Sequence, residues 1–189
     1  GFDLSRYELQ LSTNGPLGWA GRVAPEKGLE DAAFVAARLG ETLRVWGLVE
    51  DDAYARRVES SFPAGTIEWC GFKPTSELQR ELGGCRALLN TPKWNEAYGN
   101  VVVEALACGV PVIAYDRGGP GEIIQSGETG WLVPPDDRDA LAEATLRVSS
   151  IDRHACRHWV ERCASQEGLA ARVEAWIRKG QKPADGTIS

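Results

Sequence analysis

Short apolar, β-branched runs alternate with segments of helical periodicity along nearly the whole chain, and this alternation constrains the fold more than any other feature. Leu17–Val23, Thr42–Leu48, Thr66–Phe72, Cys85–Asn90, Val110–Tyr115 and Trp131–Val133 read as strands. A helix is expected from Pro25, which suits a first turn, through Leu29, Ala32, Ala33, Ala36 and Leu39 to a stop at Gly40. Further helices are expected at Asp51–Ser60, Thr75–Leu82, Asn100–Cys108, briefly around Glu122–Gln125, at Asp137–Val148, and at Ile151–Lys179 with a break near Gly168. Strands and helices joined this closely predict an α/β, three-layer, Rossmann-like domain. Its mainly parallel sheet should have about six strands, with helices on both faces. The domain is expected to span residues 1–180, with residues 181–189 as a flexible tail.

Charge and composition remove several function classes. The net charge of −6 comes without a basic stripe, which argues against nucleic acid as a partner. No apolar run approaches the roughly 20 residues of a transmembrane helix. The first residues, Gly1–Ser5, carry neither the basic nor the apolar region of a signal peptide. Five cysteines, Cys70, Cys85, Cys108, Cys156 and Cys163, contain no C-x-x-C pair, and the first three read as small core residues. A cytoplasmic location is the expectation.

Open parallel sheets bind ligands outside the carboxyl ends of their strands, and the unusual residues fall there. Gly21 and Arg22 close the first strand, and Lys27 follows one short turn later. Two cations at such a place suit a diphosphate, Arg as a planar fork and Lys as a point charge; a solvated pair beside Glu26 is the alternative. After the fourth strand comes Asn95-Glu96-Ala97-Tyr98-Gly99-Asn100-Val101-Val102-Val103-Glu104. Here two carboxylates flank a helix start whose unpaired N–H groups suit a phosphate. Each carboxylate can accept a pair of hydroxyls, as sugar and ribose diols offer. Glu96 could equally be a loop charge, and Glu104 a solvated helix residue, although Val103, Ala105 and Leu106 flank the latter.

Five stretches in order carry a family resemblance. They are Gly21–Gly28, the Glu96 and Glu104 pair, Gly109–Ala114, Gly118-Gly119 with Glu122–Ile124, and Gly127 to Val133. Together they resemble the C-terminal, donor-binding domain of the group 1 (family 4) retaining glycosyltransferases, over about Phe2 to Val148. The resemblance implies one half of a GT-B fold, and a metal-independent hexosyltransferase that uses a UDP-, GDP- or ADP-sugar and no other cofactor. It implies catalytic roles for Arg22, Lys27 and Glu96, with the two cations on the leaving diphosphate. Glu96 would hold the transferred sugar, and Glu104 the ribose. Gly21, Tyr98, Gly99, Asn100, Val101, Gly118 and Gly119 would complete the donor site. Ala97 stands where the family commonly has Gly. The N-terminal acceptor domain is absent from this sequence, so the chain alone is expected to be an incomplete, inactive enzyme whose partners are a nucleotide-sugar and that domain. A free-standing nucleotide-sugar-binding module and the matching half of a sugar-nucleotide epimerase are the competing readings.

Other motifs are set aside. Asp137-Arg138-Asp139 spells D-x-D, but at a helix start its acids read as caps. His154, His158 and Cys163 are crowded by Arg153, Arg157 and Arg162, which disfavours a metal. Trp19, Trp46, Trp69 and Trp131 are expected in the core, and Trp94 beside the sugar site.

Overall fold

The computed structural model describes residues 3–95 and 100–165. Six strands form one sheet: β1 Leu17–Ala20, β2 Leu43–Trp46, β3 Ile67–Gly71, β4 Ala87–Asn90, β5 Val112–Tyr115 and β6 Gly130–Val133. Every neighbouring pair is parallel, in the order β3-β2-β1-β4-β5-β6. The direction of strand addition reverses between β1 and β4, which pair through Leu17 with Ala87 and Gly18 with Leu88. Connections on either side of that junction depart to opposite faces, so a crevice opens at its carboxyl end.

Strand alternation builds the three layers. Leu17, Trp19, Ala87, Leu89, Ile113 and Tyr115 point to one face. That face is covered by α1 Leu29–Leu39, α2 Asp52–Ser60 and α6 Arg138–Leu146. Leu88, Val112 and Ala114 point to the other, under α3 Thr75–Gly83, α4 Asn100–Ala107, α5 Gly119–Ile123 and α7 Arg153–Ser165. Because both faces are sealed, strands β4 and β5 are buried at every residue. Each fully buried Leu or Ile there contributes about 2 kcal/mol.

Several elements differ from their sequence-based bounds. The chain leaves the β1 ladder at Gly21, and Val23 keeps only an isolated bridge to Val49. Pro25 opens a 3-10 turn, Pro25–Lys27, instead of the α-helix; Gly28 in the left-handed region (φ 67°) separates that turn from α1. The Gly118–Gly121 loop is partly helical, since α5 starts at Gly119 with Pro120 in its first turn. Helix α6 ends at Leu146, before a separate 3-10 turn at Val148–Ser150. The expected helix beyond Ser165, its break near Gly168 and the tail lie outside the described residues. Trp19 and Trp46 are buried, whereas Trp69 and Trp131 are only half-buried, and Trp94 is exposed. Cys85, Cys108, Cys156 and Cys163 are buried, Cys70 partly so, and none forms a disulfide. Among the described residues no helix is long and apolar enough to cross a membrane.

Asp137 caps α6 by accepting from Ala140 N–H at 2.9 Å, and Asp139 pairs with Arg38. Asp137→Ala is expected to cost about 1 kcal/mol, read as a fall of roughly 3 °C in the thermal midpoint.

Candidate functional site

A cleft of about 450 Å³ opens at the carboxyl end of the β1–β4 junction. Its walls come from four consecutive strand ends and one helix start. Residues Trp19 to Arg22 end and follow β1, Trp46 to Leu48 end and follow β2, Phe72 and Lys73 follow β3, Asn90 to Pro92 end and follow β4, Asn100, Val101 and Glu104 stand on α4, and Leu78 of α3 adds an apolar patch. Lys27 enters from the 3-10 turn. Gly21, Arg22, Lys27, Asn100, Val101 and Glu104, which the sequence singled out, therefore line one cavity.

The remaining sequence-derived site residues stand elsewhere. Glu96, Tyr98 and Gly99 lie outside the described residues. Gly118 precedes α5 and Gly119 is buried in its first turn; neither lines the cleft. Trp94 is 72% exposed and also lies outside the lining.

Arg22 is half-exposed, with Nη1 2.7 Å from Glu50 Oε2 and 3.4 Å from Glu26 Oε1. Such exposed pairs are weak, so an anion of higher charge density can compete for the guanidinium. The backbone around Lys27 is stitched to the loop after β4. Thr91 Oγ1 donates to Gly28 O at 2.8 Å, Trp19 Nε1 donates to Thr91 Oγ1 at 3.3 Å, and Lys93 N donates to Glu26 O at 2.8 Å. These bonds hold the β1 and β4 ends in register at the mouth of the cleft.

Behind that loop lies a charged network. Lys93 Nζ bonds the buried carboxylate of Asp31, which also accepts from Tyr115 OH at 2.6 Å. Asp136, a non-glycine residue at φ 64°, accepts from Arg117 at 2.6 and 3.0 Å, while Arg117 also donates to Pro92 O at 2.8 Å. Burial works most strongly against charge on Lys93, but the hydrogen bond to Asp31 and the charges of Asp31, Asp136 and Glu30 together outweigh it and raise its pKa. The Arg117 hydrogen bonds hold the Asp136 carboxyl below the usual range. The network joins the loops after β4, β5 and β6 into one unit, and the segment leading to Glu96 departs from it.

Glu104 sits one turn into α4, flanked by buried Val103 and Ala105. Burial pushes its carboxyl above the ordinary range, opposed by a hydrogen bond from Tyr7 and the charge of Arg6. Tyr7 is buried, and burial followed by the Glu104 charge keeps its hydroxyl protonated far above neutral pH. Sequence reasoning gave Tyr7 no site role; it lies 97 positions from Glu104 in the chain. It also missed Asn90, which lines the cleft with a buried Oδ1 that has no hydrogen-bond partner among the described residues. A polar residue closing the apolar run Ala87-Leu88-Leu89 was the available signal.

Comparison with known proteins bears on the family and the fold. Residues 17–166 match the family model "Glycosyl transferases group 1". A 2-deoxystreptamine N-acetyl-D-glucosaminyltransferase of Streptomyces fradiae is 32% identical over 147 residues, covering 73% of this chain and 35% of that protein. A sucrose synthase of Acidithiobacillus caldus is 30% identical over 122 residues, covering 62% of this chain and 15% of its own. The chain thus spans a minor part of these relatives. The structure of AviGT4, a glycosyltransferase of avilamycin A biosynthesis, superposes with a TM-score of 0.77 at 24% identity, over 96% of this chain and 57% of that one. Sucrose-phosphate synthase from Thermosynechococcus elongatus gives 0.75 at 25%, over 95% and 51%. The structure of Anabaena HepE in complex with UDP-glucose gives 0.73 at 19%, over 95% and 55%. The six-stranded parallel fold is that of these GT-B proteins. With the family model covering most of its length, the chain belongs to the group 1 glycosyl transferases.

Proposed function

We propose that this chain is the donor-binding domain of a retaining glycosyltransferase that takes a hexosyl group from a nucleoside diphosphate sugar. The observation that carries the reading is convergence: Arg22, Lys27, the start of α4 and Glu104 meet in one cleft at the point where strand order reverses. Ligands in doubly wound sheets bind at that point. A volume of about 450 Å³ also falls within the range of small-molecule sites. HepE, of the same fold, holds UDP-glucose.

In this reading the diphosphate lies between Lys27, Arg22 and the N–H groups opening α4. Departure of the nucleoside diphosphate concentrates negative charge on its terminal phosphate. Cations and helix N–H groups already aimed there stabilise that charge without reorganising. They supply the countercharge that a divalent ion supplies in metal-dependent transferases, and no metal is required. Glu104 accepts from the ribose hydroxyls, and Glu96 from hydroxyls of the transferred sugar. The acceptor would be held by a second, N-terminal domain, without which this chain binds donor but does not turn it over. The five cysteines contain no C-x-x-C pair, which suits a reducing cytoplasm.

Titration calorimetry with UDP, GDP and ADP in EDTA tests the reading. At least one should bind the folded chain, and Glu104→Ala should weaken that binding about tenfold while the unfolding midpoint holds. Absence of heat from all three rejects the site. Unchanged affinity in the variant rejects the ribose role.

A further inference from the structure

Asn90 closes β4 at the floor of the cleft, on a sheet face built from apolar side chains. By strand alternation it shares the face of Leu88 and, across the ladder, of Ala114, its register partner on β5. Ala20 and Trp46, at the ends of β1 and β2, belong to that face and line the same cleft. Helix α4 covers the face and brings Asn100, Val101 and Glu104 to the cavity. Leucine, an apolar side chain of the same size as asparagine, would suit this packing as well.

The residue is 8% exposed, and its Oδ1 is buried without a hydrogen-bond partner among the described residues. Its Nδ2 donates to none of them either. Other buried polar side chains are bonded within the protein. Asp31 accepts from Tyr115, Thr91 donates to Gly28 O, and Arg153 donates to three backbone carbonyls. Native proteins leave few buried polar groups unpaired, because an unmet acceptor loses its water and gains nothing in return. Of the buried side-chain atoms in that condition, Asn90 Oδ1 is the one that belongs to the cleft lining among the described residues. An amide oxygen only accepts, so the partner it lacks must carry a proton. Ionised phosphate oxygens have none to give, whereas ribose and sugar hydroxyls do. The oxygen is the covered end of the amide, but Asn χ2 is a broad, roughly two-fold torsion. With neither end bonded, the amide can turn its oxygen to the cavity without breaking a hydrogen bond.

We propose that Asn90 is a specificity residue of this cleft, whose carboxamide oxygen accepts a hydrogen bond from a hydroxyl of the bound nucleotide-sugar. The proposal rests on the donor-site reading above and adds to it a contact from the sheet floor. It also sets binding against stability: the amide is a burden to the fold and an asset to the complex.

Asn90→Leu removes the amide and keeps the shape. Its thermal midpoint should rise by about 2–4 °C, because an unpaired acceptor leaves the apolar floor. Calorimetry is then run with UDP, GDP and ADP, and with the 2′-deoxy, 3′-deoxy and glucose-conjugated forms of whichever binds the parent chain. The variant should bind about fivefold more weakly wherever the bonded hydroxyl is present. A loss already seen with the diphosphate, and abolished in one deoxy form, assigns a ribose hydroxyl. A loss confined to the glucose conjugate assigns a hydroxyl of the sugar. Equal affinity of variant and parent for every ligand would overturn the proposal. So would an equal loss on the diphosphate and both deoxy forms, which would give the amide to phosphate or base, or to the fold itself if the midpoint also drops. Asn90→Ala is the second variant, should leucine fail to fit, and must show the same dependence on the hydroxyl. A parent chain that binds none of the three diphosphates would reject the donor-site reading and this proposal with it, whereas a binding parent with an indifferent variant rejects the proposal alone.

Discussion

Lys27→Ala should weaken nucleoside diphosphate binding by roughly thirtyfold or more, the largest loss of any single change in the cleft. The ammonium comes from a half-buried 3-10 turn whose backbone is pinned by the loop after β4. Removing one partner of a desolvated charge pair costs about 2 kcal/mol or more, since the phosphate left behind stays buried without its counterion. Arg22→Ala should do less. Its guanidinium is half-exposed and already shared with Glu50 and Glu26, so part of the attraction to phosphate goes into displacing those carboxylates. In the proposed site both cations address one diphosphate, so the double variant should lose less than the two single losses combined. Calorimetry at fixed ionic strength, with far-ultraviolet circular dichroism to confirm folding, measures all three. A double variant that binds as well as the parent would remove the diphosphate from this cleft.

The second large effect is on stability. Gly28 has φ 67°, and a Cβ placed there would lie 1.9 Å from Thr91 O. Alanine at this position meets the left-handed penalty of about 1–2 kcal/mol. It must also push the Thr91 backbone away, which breaks the Thr91–Gly28 bond and strains the Lys93–Glu26 bond, about 1 kcal/mol each. Together these predict a loss of about 3–4 kcal/mol and a thermal midpoint lower by roughly 10 °C. Gly65→Ala is the matched control. Its φ of 84° imposes the same backbone penalty, but nothing lies within 4 Å, so its midpoint should fall by only a few degrees. Equal losses in the two variants would show that the close approach to Thr91 has no energetic weight. Because Gly28 adjoins Lys27, its alanine variant should also weaken nucleotide binding, whereas Gly65→Ala should not.

The fold was readable because its determinants are local. Strand periodicity at Val112–Tyr115 and the helical spacing of Leu29, Ala32, Ala33 and Ala36 are set within a few residues of chain, and both survive into the structure. The boundaries were not readable where a distant backbone intervenes. Pro25 looks like a helix start, yet Thr91 packs against Gly28 and divides the segment into a 3-10 turn and α1. The cleft residues Arg22, Lys27, Asn100 and Glu104 were found because each follows a strand. The groups that hold them were not. Asp31, Lys93, Arg117 and Asp136 form one network from four separate parts of the chain, and no local pattern distinguishes them from ordinary surface charges.

Leu17 and Ala87 are partners across the central ladder but seventy positions apart, with β2, β3 and three helices lying between them in the chain. Zipping that pair requires closure of the longest loop between neighbouring strands in the sheet, so the halves on either side can condense earlier than the seam that joins them. The cavity straddles the seam, and neither half alone supplies both its cations and its carboxylate. A nucleotide captured there is held only by molecules whose halves have already docked, so occupancy should reinforce the junction between the halves and not merely fill a surface groove.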